Sequence, residues 1–181
     1  MAKRITRTEL QNSVDVTLMP GGLYLSQEPR IIKTILGSCI SMIFYNRRHR
    51  VSAISHAQLP VDKVYVPCTR QCPSKCYKAA DKKLIYKYVS CSSEYILEQL
   101  KVRGIRLNEI EVKLFGGSNV LKTARSEKKV GKKNIEAAYD IINKYRLKLV
   151  AEDTGGNKGR TLFLKSDTGE VWVYTHTRSP G

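Results

Sequence analysis

Residues 31–60 read IIKTILGSCISMIFYNRRHRVSAISHAQLP, and three β-prone runs follow one another inside that stretch. They are Ile31 to Leu36, Cys39 to Tyr45 and Val51 to His56. Isoleucine, valine and aromatic residues dominate them, and such side chains fit a pleated, largely covered surface. Gly37-Ser38 interrupts the chain between the first two runs, and Asn46-Arg47-Arg48 turns it between the second and third. Runs of this length, separated by turn residues, predict strands rather than helices.

The pattern continues on both sides. Val14, Val16 and Leu18 alternate before a Pro20-Gly21-Gly22 turn, and Leu23 to Ser26 reads as a further strand. Val61 to Lys82 breaks the rhythm: it is polar and basic, carries Cys68, Cys72 and Cys76, and reads as an inserted loop. Leu84, Tyr88, Cys91 and Tyr95, with Ile85, Val89, Ile96 and Leu100, then recur at helical spacing, which predicts a helix ending near Gly104. Ile110, Val112 and Leu114 alternate into Phe115-Gly116-Gly117. A basic loop is expected through Gly131, followed by a second helix with Asn134 as its N-cap and Ile135, Ala138, Tyr139 and Ile142 on one face. Leu147 to Ala151 predicts a strand, and Asp153 to Gly156 a turn-rich loop. A hairpin then crosses Asp167-Thr168-Gly169 between Leu162-Phe163-Leu164 and Val171-Trp172-Val173. Many strands with two segregated long helices predict an α+β fold.

The chain has 181 residues, 41% of them hydrophobic, so one domain with a real core is the expectation. No run reaches the length that spans a bilayer. Met1 to Leu10 is basic but has no apolar core or cleavage site, so no secretory signal is read there and the cytoplasm is the expected location. A net charge of +16, from 32 basic and 16 acidic residues, points to an acidic partner or to a solvated basic surface. No nucleic-acid motif is complete, and the charge is spread rather than gathered in one tail, which disfavours nucleic acid as the partner. Five cysteines are expected to be reduced in the cytosol.

Cys39 and His56 are the candidate chemistry. A thiol after Gly37-Ser38 has flexible backbone around it, and an imidazole can take its proton to make a strong nucleophile. Backbone N–H groups near Cys39 can hold a developing oxyanion. Each residue also has a plainer reading: Cys39 as a buried structural thiol, His56 as a hydrogen-bonded core histidine. His49 sits in the charged turn Arg47-Arg48-His49-Arg50 and is expected in solvent. His176, near Trp172 and Tyr174, reads as a sheet residue. Thr34 can offer a hydroxyl to orient the imidazole, though threonine is also an ordinary strand former.

With these residues in order, the chain resembles the chemoreceptor glutamine deamidases, the CheD family of bacterial and archaeal chemotaxis. The resemblance rests on Pro20-Gly21-Gly22, Thr34 to Cys39, His56 with Leu59-Pro60, Phe115-Gly116-Gly117, and Gly131 to Asn134. It continues through Ala151 to Gly156, Gly159-Arg160 and Thr168 to Val171, and covers about residues 14 to 175. It implies a layered α+β sandwich of mixed sheets with helices outside. Residues 1–13 would form an N-terminal extension and residues 14–178 the deamidase domain, with the cysteine-rich insertion at about 61–82. It also implies a Cys-His-Thr triad, with Cys39 as nucleophile, His56 as general base and Thr34 as its orienting hydroxyl. The family threonine lies five or six residues before the cysteine; here Thr34 holds the fifth position and Lys33 the sixth.

The implied substrate is a glutamine side chain on a methyl-accepting chemotaxis receptor, and the implied further partner is a CheC-type phosphatase. The receptor is membrane-bound, but no membrane insertion of this chain is expected. A non-catalytic adaptor is the alternative function. The chemistry requires no metal or organic cofactor. Two departures from the family pattern stand out: Ser52 and Ala53 replace glycines before the histidine, and Lys133 replaces an arginine before Asn134. Glycines 116, 117, 155 and 156 and Asp153 are read as framing the fold. Cys68, Cys72 and Cys76, which with Cys91 would make four thiols, match no standard metal-site spacing and read as reduced cysteines.

Overall fold

In the computed structural model, which describes residues 6–60, 86–119 and 127–176, the three β-prone runs become strands of two different sheets. The elements are α1 (Arg7–Asn12), β1 (Val16–Thr17), β2 (Leu23–Ser26), β3 (Ile31–Leu36), β4 (Ile40–Asn46), β5 (Val51–Ser55) and α2 (Val89–Val102). They continue with β6 (Glu111–Gly116), α3 (Glu127–Lys144), β7 (Lys148–Thr154), β8 (Arg160–Lys165) and β9 (Glu170–Thr175). A four-stranded sheet has the order β1-β3-β8-β9, and a five-stranded sheet the order β2-β5-β4-β6-β7. Both are mixed, with β1 parallel to β3 and β6 parallel to β7. This is the α+β arrangement the sequence predicts.

Side-chain parity builds the layers. On β3, Ile32, Thr34 and Leu36 are buried while their neighbours are not, as the two-residue period requires. Ile32 and Leu36 meet Ile43, Ile54, Phe115, Leu162 and Leu164 between the sheets. Ile40, Met42, Phe44, Val51 and Ala53 point the other way, against Val89, Ile96, Leu100, Ala138 and Ile142 of the long helices. Strands β4 and β5 are therefore covered on both faces and buried throughout, which explains why they read as nearly unbroken apolar runs. Helix α1, begun by a Thr6–Glu9 capping box, places Arg7 over the Tyr174 ring of β9. At one end of the inter-sheet layer, polar groups replace apolar ones: Thr34, His56 and Arg160 are all buried there.

Several boundaries differ from the sequence reading. Helix α2 begins at Val89, because Tyr88 is held extended by a parallel bridge to Leu59. Leu84, Ile85 and Cys68, Cys72 and Cys76 lie outside the described residues. Helix α3 begins at Glu127, so Gly131 and Asn134, expected as loop and N-cap, lie inside it. A glycine inside a helix costs about 1 kcal/mol relative to alanine. Here the packing demands it, since a Cβ on Gly131 would stand 2.5 Å from the Gly117 carbonyl oxygen. Strand β7 runs on to Thr154 because its pairing with β6 continues to Gly116, so the connection to β8 is confined to residues 155–159. No helix among the described residues is long and apolar enough to cross a membrane.

Candidate active site

Parity also decides what faces what around Cys39. Ile40 and Ala57 form an antiparallel bridge, each donating its N–H to the other's carbonyl at 2.9 Å. Both side chains face the helices. Cys39 and His56, each one residue earlier, therefore share the opposite face as a diagonal pair across the bridge. His56 keeps the parity of Ile54 and is buried, and Cys39 is half-buried against the inter-sheet cluster. Thr34 reaches the same place from the other sheet. Lys33, with the opposite parity, does not.

The His56 ring is held from one side. Thr34 donates its hydroxyl to the Leu18 carbonyl at 2.8 Å, and Thr34 Oγ1 lies 2.8 Å from His56 Nδ1. Because the single hydroxyl proton goes to Leu18, Thr34 Oγ1 accepts from the ring, which assigns the proton to Nδ1. His56 Nε2 is then the lone-pair nitrogen. It is buried and hydrogen-bonds to no described residue, the Cys39 thiol included. The Pro20-Gly21-Gly22 turn fixes the backbone here: Gly21 N–H donates to the His56 carbonyl at 2.8 Å, and His56 N–H to the Gly22 carbonyl at 2.9 Å. Burial pushes the Cys39 thiol up and the His56 imidazole down from their ordinary values. Both are neutral at neutral pH.

The segment before the thiol is pinned through its carbonyls. Ser118 N–H donates to the Gly37 carbonyl at 2.8 Å, and Gly117 N–H to the Cys39 carbonyl at 2.7 Å. Asn134, fully buried on α3, gives its amide to the Ser38 carbonyl at 2.9 Å and to the Gln58 carbonyl at 3.0 Å. Gly116 sits at φ 108°, where a Cβ would fall 2.3 Å from the Cys39 carbonyl oxygen, so only glycine fits. Arg160 braces the same corner from below. Its buried guanidinium donates to the Gly116 and Gly155 carbonyls at 2.9 and 3.0 Å and pairs with Asp153 at 3.0 Å.

Cys39 opens on a cavity of about 530 Å³ lined by Ile35, Gly37, Ser38, Gln58, Asn119 and His176, among others. His176 follows β9 and places Nε2 2.8 Å from Thr161 Oγ1. It belongs to the cavity wall as well as to the sheet edge. His49 is exposed, in its turn. The sequence reading missed Asn134 as the support of the Ser38 carbonyl and Arg160 as the support of Gly116, which packs against the Cys39 carbonyl. Gly131, three residues before Asn134 on the same helix face, is the local signal of a close backbone approach, and the resemblance already rests on Gly131 to Asn134 and on Gly159-Arg160. Among the described residues no cluster of three or more His, Cys, Asp or Glu side chains could hold a metal ion. A thiol and an imidazole on one face, the ring keeping a lone pair with no partner among the described residues, are groups suited to nucleophilic attack on a carbonyl.

Comparison with known proteins gives the same family as the residues. Residues 73–175 match the family model described as CheD chemotactic sensory transduction. The chain is 33% identical over 156 residues to the probable chemoreceptor glutamine deamidase CheD 2 of Geobacter sulfurreducens, covering 86% of each chain. It is 32% identical over 174 residues to the corresponding protein of Maridesulfovibrio salexigens, covering 90% of this chain and 94% of the relative. With that of Methanococcus vannielii it shares 31% identity over 153 residues, 84% of this chain and 90% of the relative. Coverage of this extent necessarily spans positions 34 to 56, which the family model's match does not reach. The chain belongs to the CheD family.

Proposed function

We propose that this CheD-family chain is a protein-glutamine deamidase that converts glutamine side chains of chemotaxis receptors to glutamate through a cysteine thioester. The observation that carries the reading is the state of His56. Its Nδ1 proton is committed to Thr34, while Nε2 is buried, without a partner among the described residues, and on the same face as a cavity-lining thiol. A core histidine kept only for packing would have both nitrogens satisfied.

In the proposed reaction His56 Nε2 takes the Cys39 proton as the sulfur attacks the amide carbon. The carbonyl oxygen becomes an oxyanion held by backbone N–H groups at the cavity. The imidazolium returns the proton to the amide nitrogen, the C–N bond breaks and ammonia leaves. A water, deprotonated by His56, adds to the thioester carbon. The thiolate departs, recovers its proton, and leaves glutamate. Thr34 acts on the ring and not on the substrate: it fixes the tautomer and aims Nε2. The names of the relatives support the substrate class.

The test is mass spectrometry of a receptor signalling-domain fragment incubated with the wild-type chain, Cys39→Ala and His56→Ala. A gain of about 1 Da at particular glutamines, with one ammonia released for each, is expected with wild type alone. Glutamines left unchanged by wild type would overturn the proposal. So would conversion that continues in Cys39→Ala.

A further inference from the structure

We infer that Asn134 is a positioning residue for oxyanion stabilisation: by holding the Ser38 carbonyl it turns the Ser38–Cys39 peptide so that Cys39 N–H faces the place the oxygen of the attacked carbonyl will occupy. This rests on the deamidase reading of the site. In a trans peptide the carbonyl and the following N–H point in opposite directions. Fixing the Ser38 oxygen against α3 therefore fixes the Cys39 N–H on the far side of that plane. The N–H groups of Ser38 and Cys39 donate to no described backbone acceptor, while the carbonyls of Gly37, Ser38 and Cys39 are all taken. Buried, unpaired N–H groups are rare, and both residues line the cavity, so these donors open onto it. A donor beside the attacking sulfur is where an oxyanion on the attacked carbon needs one.

The same Asn134 amide holds the Gln58 carbonyl, two residues after His56. One side chain thus ties the segment carrying the nucleophile to the segment carrying the base. Its Oδ1 is buried and finds no donor among the described residues. An apolar residue at this helix position would avoid that penalty, but it would leave both carbonyls free to rotate. Gly131, one helical turn earlier, lets α3 come close enough to Gly117 for Asn134 to reach them.

The experiment compares turnover with alkylation. Iodoacetamide reacts with the Cys39 sulfur by displacement of iodide and forms no oxyanion; deamidation does form one. Asn134→Ala is expected to lower kcat by about 10–100-fold with KM little changed, while the alkylation rate of Cys39 stays near that of wild type. A folded variant with wild-type kcat would overturn the inference. Turnover and alkylation falling together would overturn it too, because Asn134 would then only support the fold. Should Asn134→Ala fail to fold, Asn134→Ser carries the same comparison. A measurement on the wild-type chain needs no variant: a receptor peptide with an aldehyde in place of the glutamine amide adds Cys39 to give a thiohemiacetal. Its oxygen should move the Cys39 amide proton downfield in a ¹⁵N-resolved spectrum, and an unmoved signal refutes the placement. Wild type that releases no ammonia from any receptor fragment sinks the deamidase reading and this inference with it; an active wild type with an equally active Asn134→Ala sinks this inference alone.

Discussion

Replacing Thr34 with valine keeps the outline of the side chain and deletes its hydroxyl. Two hydrogen bonds go: the one to His56 Nδ1 and the one to the Leu18 carbonyl, both 2.8 Å. The Leu18 oxygen already lies 3.4 Å from His56 Nδ1. Freed of Thr34, it can accept the same ring proton after a movement of roughly half an ångström. The tautomer survives, and Nε2 remains the base. What is lost is aim, which is worth about one neutral hydrogen bond, or ~1–1.5 kcal/mol. That corresponds to a roughly tenfold fall in kcat. Steady-state ammonia release from a receptor fragment measures it. Two results would refute the reasoning. Unchanged turnover would mean that Thr34 does not set the ring. Turnover as low as that of His56→Ala would mean that the Leu18 carbonyl cannot replace it.

The pKa directions give a pH profile. The proposed reaction needs neutral His56, whose pKa lies below its ordinary 6.5, so the acid limb of kcat/KM should have its midpoint below that pH. Cys39 loses its proton above the ordinary thiol value of 9.0, so the alkaline fall lies beyond that. Stability follows the same two groups. Below 6.5 the unfolded histidine binds a proton that the folded one refuses, so stability drops as pH falls; above 9.0 the unfolded thiol ionises first, so stability drops as pH rises. Urea midpoints across pH 5–10 would contradict this if they rose at either end. Gly131→Ala forces a Cβ to within 2.5 Å of backbone oxygen. It should lower stability by about 1–3 kcal/mol, despite alanine's better helix propensity. A higher melting temperature in Gly131→Ala would show that α3 can back away.

Much of the fold was legible because strand parity is a local property. Ile32 and Leu36 bracket Thr34 at two-residue spacing, which is enough to separate it from Lys33. Ile54 does the same for His56. The Pro20-Gly21-Gly22 turn could be read as a turn, but not as the support of the His56 backbone, because that contact crosses between distant parts of the chain. Asn134 was misplaced for a physical reason. Lys128, Lys129, Gly131, Lys132 and Lys133 make the first turns of α3 look like a basic loop. The contact of Gly131 with Gly117 that overrides this is tertiary. Arg160 is likewise invisible locally: its partners Gly116 and Asp153 lie on other strands, and nothing near residue 160 announces them.

The depressed basicity of His56 suits the leaving group. Attack on an amide is useful only if nitrogen leaves as an amine rather than as an amide anion, so the imidazolium formed in the first step must be a capable acid. Burial that lowers the His56 pKa makes the ring a weaker base toward sulfur and a stronger acid toward nitrogen. The same burial raises the thiol pKa, so both shifts favour a resting pair with its proton on sulfur. In the proposed reaction the proton would move as an electrophile occupies the cavity and an oxyanion forms beside the Cys39 N–H. On this argument, restoring an ordinary histidine pKa by opening the inter-sheet layer would increase the resting thiolate, and with it alkylation, while slowing ammonia release. A substitution such as Leu36→Ala, which hollows that layer beside Thr34, should therefore move the two rates in opposite directions. Both rates rising together would refute the account.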